Sequence, residues 1–297
     1  MEGIPLDDWK RLKFPLVLYG LTWLSTTWVG SAYSGGSFLT GLWFSVPLMV
    51  ILTCHEMGHF IQARRYSVSV SWPWFIPVPF PPFGTFGAVI KMDDKIPNIK
   101  ALYDIGISGP LAGLVPTLVF MVIGIALSEV GEVEPIKGSL IFGEPFLFSW
   151  VSSLFFDRSV PGTDLLLHPI GMAAWTGLFI TSLNLFPLGQ LDGGHVFYAL
   201  TKRYAGFGMH FLFYAVITIV ILTGSWEWSL MIILLFFIGI KHPATADDTV
   251  PLGKFRTCLG WLVLVFLLIG FTPHPISEPV IPSLDLKPLY SLFWGGF

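Results

Sequence analysis

Charge is scarce in this chain: only 12% of its 297 residues are Asp, Glu, Lys or Arg, against 54% hydrophobic residues. With a mean hydropathy of +0.73, that scarcity excludes an ordinary water-soluble globular protein, and it leaves no basic surface for a nucleic acid. Cysteine is scarce too. Cys54 and Cys258 are the only two, each in or beside an apolar segment, so a disulfide framework is excluded and both read as small hydrophobes. No hydrophilic stretch approaches the size of a separate soluble domain, and there is no internal repeat or low-complexity run. The first residues carry Asp7, Asp8, Lys10, Arg11 and Lys13 with no clear small-residue cleavage site after them, so the first apolar span is expected to be retained.

What is abundant is apolar sequence in runs. Stretches of spanning length fall near residues 14–33, 38–63, 103–127, 170–198, 207–223, 228–240 and 256–272. The sixth is short, and residues 207–240 can also be read as one span and a partial one hinged at Gly224-Ser225. The expected fold is an all-α polytopic membrane protein of six to seven transmembrane helices. Residues 1–297 are expected to form a single membrane-embedded domain, with a core at about 38–200 and additional C-terminal spans at about 207–272.

Basic residues cluster at Lys10, Arg11 and Lys13, at Arg64 and Arg65 with Lys91, Lys95 and Lys100, at Lys202 and Arg203, and at Lys241 with Lys254 and Arg256. If seven spans alternate, every cluster falls on one side, while the other loops are neutral or acidic. The positive-inside rule then places the N-terminus in the cytoplasm and the C-terminus outside.

Two connecting segments are not simple loops. Between Val70 and Met92 the chain is apolar yet dense in proline, which rules out a spanning helix there. One reading is an interfacial loop anchored by Trp72 and Trp74. The other is a re-entrant β-hairpin-like loop after the second span, in which Gly84-Thr85-Phe86-Gly87-Ala88-Val89-Ile90 forms a strand with a free edge for an extended peptide. Residues 145–156 are too few to span and fit a half-buried or interfacial helix on the outer face.

Within the second span lies His55-Glu56-Met57-Gly58-His59, a His-Glu-x-x-His metal motif. Residues four apart share a helix face, so both imidazoles can reach one zinc ion while Glu56, on a neighbouring face, reaches its water. Ionisable residues inside a bilayer are costly and mark function. At 1.5 Å per residue the motif lies about 26 to 32 Å along the span, inside the membrane but near the cytoplasmic side. Cys54 points about 100° away from His55 and is a poor ligand candidate.

Catalytic zinc needs a third protein ligand and an open position. The metzincin extension is absent, since Arg65 stands where that pattern needs histidine. The outstanding candidate is Asp192, in Asn184-Leu-Phe-Pro-Leu-Gly-Gln-Leu-Asp-Gly-Gly-His195, which the same topology brings to the depth of the histidines. Pro187, Gly189, Gly193 and Gly194 loosen the helix so that Asp192 can be aimed, which is tolerated at membrane depth where a cavity is lined. A structural alternative makes Asp192 the cap of the next helix. His195 is a rival ligand, or else a hydrogen-bond donor to the ligand or the substrate. His168, His210 and His242 read as boundary residues, and Asp104 as a cap at the start of the third span.

The paired motifs resemble those of the site-2 protease family of intramembrane zinc metalloproteases. That family carries His-Glu-x-x-His on one span and Asn-x-x-Pro with Asp-Gly on a later one, matched here by His55, Glu56, His59, Asn184, Pro187, Asp192 and Gly193. Gly84 to Gly87 and Gly109-Pro110-Leu-Ala-Gly113 are also similar. The resemblance implies proteolysis of a transmembrane or membrane-anchored protein substrate within the lipid bilayer. It implies Zn2+ on His55, His59 and Asp192 and Glu56 as the catalytic base. The tetrahedral oxyanion needs a donor, and Asn184 is the best-placed amide on the fourth span, its alternative role being an interhelical hydrogen bond. Gly84, Thr85, Phe86, Gly87 and His195 are the residues expected towards the substrate. Two other functions compete. A divalent-metal transporter would show a ladder of polar groups and repeat symmetry, neither of which is seen; a membrane hydrolase for prenylated or soluble peptides would cut outside the bilayer. The family's frequent soluble domains have no room in this chain, and residues 256–272 and 273–297 have no evident counterpart.

Overall fold

The computed structural model of the chain describes residues 6–33, 36–93, 95–132, 141–156, 163–225, 228–238 and 245–277. The N-terminal residues 1–5, His242 and most of the C-terminal tail discussed above lie outside them. The fold is mostly helical. Helix α1 (Leu6–Tyr33) is followed by α2 (Leu42–Arg65), the strands β1 (Trp74–Pro77) and β2 (Thr85–Val89), and α3 (Ile99–Ala126). Then come β3 (Glu129–Glu132), β4 (Ile141–Phe142), α4 (Phe146–Ser152), β5 (Thr163–Leu166), α5 (Pro169–Asn184) and α6 (Asp192–Thr201). The chain continues through α7 (Ala205–Thr223), α8 (Ser229–Ile238), α9 (Lys254–Gly270) and β6 (Ile276–Ser277).

Three of the described helices, α2, α3 and α7, are long and apolar enough to cross a membrane. Large apolar side chains also face outward, among them Leu21 and Trp28 on α1, Val119 and Val122 on α3, Phe211 and Leu222 on α7, and Leu268 on α9. In water such surface would drive aggregation, so its solvent is lipid.

Packing centres on the α2–α3 pair, and α2 supplies the stripe that carries the histidines. Its buried side chains include Phe44, Leu48, Ile51, His55 and His59 along one stripe, with Leu52, Glu56 and Ala63 beside it. Close approach to α3 depends on Gly58, because a Cβ there would lie 2.5 Å from the Ser108 carbonyl oxygen. Without a hydrophobic drive between helices in lipid, such close backbone packing is what holds them. Arg64 and Arg65 in the last turn complement the helix dipole.

The structure departs from an all-α reading in having three two-stranded antiparallel sheets. The β1–β2 hairpin pairs Trp74 with Val89 and Phe75 with Ala88, then slips register before Pro77 meets Thr85. The strand expected from Gly84 is therefore present, one residue shorter at each end. α1 holds it: Ser25 Oγ donates to the Gly84 carbonyl at 2.7 Å, Tyr33 Oη donates to the Pro82 carbonyl at 2.6 Å, and Tyr19 meets Phe75 edge-on.

The continuous span expected over 170–198 is broken. α5 ends at Asn184 and α6 begins at Asp192, with an irregular turn between them. Pro187 removes a helix donor and Gly189 takes φ +54°, where a side chain would be strained. Asp104 is not a cap either; Asn98 caps α3 by accepting from Ala101 N at 2.9 Å, and Asp104 instead pairs with Arg256. Both cysteines are free, and Cys258 is exposed rather than buried.

Candidate metal centre

α2 presents His55 and His59 on one face, and both are almost fully buried, at 3% and 5% exposure. Their Nε2 atoms lie 3.3 Å apart. From 137 residues further along the chain, Asp192 Oδ2 reaches His55 Nε2 at 3.1 Å and Asp192 Oδ1 reaches His59 Nε2 at 3.2 Å. Zinc bonds of about 2.0–2.1 Å at tetrahedral angles put ligand atoms about 3.3 Å apart, so the three donors already have the spacing of a zinc sphere. Two imidazole nitrogens facing each other over a carboxylate, in a dry interior, are the donor set that a divalent ion satisfies.

The ring of His59 is oriented from behind. Its Nδ1–H donates to the Ile105 carbonyl at 2.8 Å, which leaves Nε2 with its lone pair towards the cluster. Two glycines on α3 make room. A Cβ on Gly109 would fall 1.9 Å from His59 Nε2, and one on Gly113 would fall 3.0 Å from His55 Cβ. By themselves these glycines are small residues four apart, an ordinary packing device; their role appears once α3 is laid against the histidines. Gly109→Ala is expected to displace the His59 ring at an overpacking cost of about 1–3 kcal/mol, weakening zinc roughly tenfold to a hundredfold in a chelator competition.

Asp192 is aimed by its glycines. A Cβ on Gly193 would lie 1.9 Å from the Leu185 carbonyl oxygen and one on Gly194 would lie 2.4 Å from that of Gly189, so only glycine lets α6 start against the broken segment. Asn184, the last residue of α5, has its amide nitrogen 3.5 Å from His55 Nε2. Glu56 is buried beside the histidines, and its carboxylate interacts electrostatically with His55, His59 and Asp192.

Other expected residues stand further off. His195 packs on α3, where a Cβ on Gly106 would meet its Cβ at 2.8 Å, and it is not one of the three donors that converge within 4.8 Å. In the hairpin, Gly84, Thr85 and Gly87 are buried and Phe86 is exposed. Gly87 faces Ile180 of α5, one turn before Asn184. Among the described residues no strand pairs with the other edge of β2. His168 caps α5 by accepting from Ile170 N.

Membrane-spanning helices around a buried His-His-Asp cluster define a membrane protein with an internal metal site. The sequence profile of peptidase family M50 matches residues 43–224, which takes in α2 to α7 and every one of these residues. The chain belongs to that family. It is 28% identical over 242 residues to an Arabidopsis thaliana protein described as probable zinc metalloprotease EGY2, chloroplastic, covering 80% of this chain and 42% of that one. To a protein of Oryza sativa subsp. japonica described as probable zinc metalloprotease EGY1, chloroplastic, it is 30% identical over 245 residues, covering 80% and 41%. The chain thus spans less than half the length of these relatives. No solved structure matches it.

Proposed function

We propose that this protein is a zinc endopeptidase that cuts transmembrane or membrane-anchored substrates within the bilayer. The observation that carries the reading is the convergence, at zinc-ligand spacing, of His55 and His59 from a helix able to span a membrane with Asp192 from α6. In this reading His55 and His59 bind through Nε2 and Asp192 through its carboxylate. When bound, zinc supplies a lowered water pKa and a polarised scissile carbonyl. Glu56 takes the proton from the attacking water as the new C–O bond forms, then delivers it to the amine as the C–N bond breaks. The Asn184 amide donates to the oxyanion of the tetrahedral intermediate.

An extended peptide is needed at the site, because the backbone of a helix is closed to attack by its own hydrogen bonds. The edge of β2 that no described strand pairs offers such a peptide a strand partner, with Gly84, Thr85, Phe86 and Gly87 nearest, and His195 is assigned to the substrate side. The hairpin re-enters the membrane in this account. Six to seven spans follow if α5 and α6 count as one interrupted crossing, and the whole chain then forms one membrane-embedded domain. With the basic clusters inside, the N-terminus is cytoplasmic and the metal site lies towards the cytoplasmic face.

Asn184→Ala is expected to lower kcat by roughly 10²–10³ with KM and bound zinc little changed, as steady-state kinetics and metal analysis would show. The reading itself is tested by reconstituting the chain in lipid with a membrane-spanning substrate and mapping the cut by mass spectrometry. Chelator-sensitive cleavage inside the apolar span supports it. Cutting only outside the membrane boundary, or metal uptake into vesicles without any cleavage, overturns it.

A further inference from the structure

α6 carries Asp192 at its first residue and emerges from the irregular segment 185–191, so the placement of the carboxylate depends on where this ten-residue rod lies. Its far end is held by a loop remote in sequence. Tyr198 Oη donates to Asp248 Oδ2 at 2.7 Å, and Lys202 Nζ donates to the Asp248 carbonyl at 3.0 Å. Lys202 does so from φ +50°, a left-handed backbone position that a lysine adopts only when its surroundings impose it.

The loop is in turn fastened to the frame that holds the histidines. Ala246 N donates to the Ile96 carbonyl at 3.0 Å and Ile99 N to the Asp247 carbonyl at 3.2 Å, at the start of α3. Just beyond it, Arg256 at the head of α9 makes a two-pronged pair with Asp104, at 2.7 and 3.0 Å. Asp104 also accepts from Tyr66, the residue that follows α2, and it precedes Ile105, whose carbonyl orients His59.

We propose that residues 245–256 are a positioning clamp for the metal site, which references α6, and with it Asp192, to the α2–α3 frame that carries His55 and His59. The proposal rests on the reading of Asp192 as a zinc ligand. Tyr198 lies about 9 Å along the helix from Asp192, so a tilt of about 5° at that end moves the carboxylate by about 0.8 Å. A zinc bond tolerates only about 0.2 Å. The clamp lies beyond the 43–224 region that the family profile matches, and it gives α9 a task.

Desolvation works against the charge of Asp248, but hydrogen bonds from Thr245 and Tyr198 hold its carboxyl below the ordinary carboxylate value. A lowered carboxylate pKa adds stability that is complete above the unfolded value of about 3.9 and is lost as pH falls through the folded one. The clamp is therefore closed at neutral pH.

Competition for Zn2+ with a chelator of known affinity, and the visible spectrum of the Co2+-loaded protein, test this in the full chain. Tyr198→Phe and Asp248→Asn are expected to weaken zinc about tenfold each, with the double variant no weaker than either, and to change the cobalt band. Tyr33→Phe on α1, which loses the hydrogen bond to the Pro82 carbonyl, is expected to leave both readings unchanged. Unaltered zinc affinity and cobalt spectrum in Tyr198→Phe, whatever happens to the melting temperature, would overturn the clamp alone. A wild-type chain that binds neither metal would overturn the ligand assignment and the clamp with it.

Discussion

Glu56→Gln abolishes peptide cleavage in this account while leaving zinc in place. The amide keeps the size and packing of the carboxylate on the buried face of α2, so the imidazoles of His55 and His59 are not disturbed. What it loses is the capacity to accept a proton from water and pass it to the leaving amine. General acid–base catalysis contributes roughly 10²–10⁴ in rate, and here one group serves both halves of the reaction, so a loss at the upper end is expected. Because Glu56 is not assigned to the metal, zinc content by atomic absorption should match that of the wild type. Loss of zinc together with activity would make Glu56 a ligand and reassign the motif; cleavage surviving at near wild-type rate would remove it from the chemistry.

Asp192→Ala is expected to have the next largest effect, on binding rather than on the base. Removing one of three protein ligands strips the only anion from the proposed sphere and leaves two neutral imidazoles to hold a divalent cation in an apolar interior. Outer partners of zinc ligands alone are worth about 10–100-fold in affinity, so a directly bound carboxylate should cost more than that. The variant is expected to fold, since α6 packs on α3 through Val196 and Ala199, which the substitution does not touch. Isothermal titration with Zn2+ should find affinity reduced well beyond a hundredfold. Excess zinc should restore little activity.

The core of this site was legible in sequence because helical spacing is a strong local rule. A separation of four positions from His55 to His59 puts both rings on one face before any tertiary structure is known. Asp192 stood out for a different reason, as a carboxylate in an apolar run beside Pro187 and a glycine pair. The strand of the hairpin was legible from prolines that forbid helix and from a short glycine-punctuated apolar segment. What was not legible depends on partners. Gly109 and Gly113 look alike as packing glycines until α3 is placed on α2, when each proves to face a histidine ring. The break between α5 and α6 was legible only in part: Pro187 and the glycines mark a loosened helix, whereas hydropathy reads 170–198 as continuous because an irregular turn lined with Leu and Phe is as apolar as a helix. Asp104 reads as a cap in sequence because its place near a helix start is a local cue, whereas Arg256, its partner, is 152 residues away.

The central claim is that side chains from two separated segments hold one zinc ion at membrane depth. An experimental structure of the zinc-loaded protein, with anomalous scattering recorded across the zinc edge, tests it most directly. The account predicts one strong anomalous peak with His55 Nε2, His59 Nε2 and an Asp192 oxygen each at about 2.0–2.2 Å, and a fourth position open to water. A peak elsewhere, or one bound by the histidines with Asp192 turned away, would contradict it.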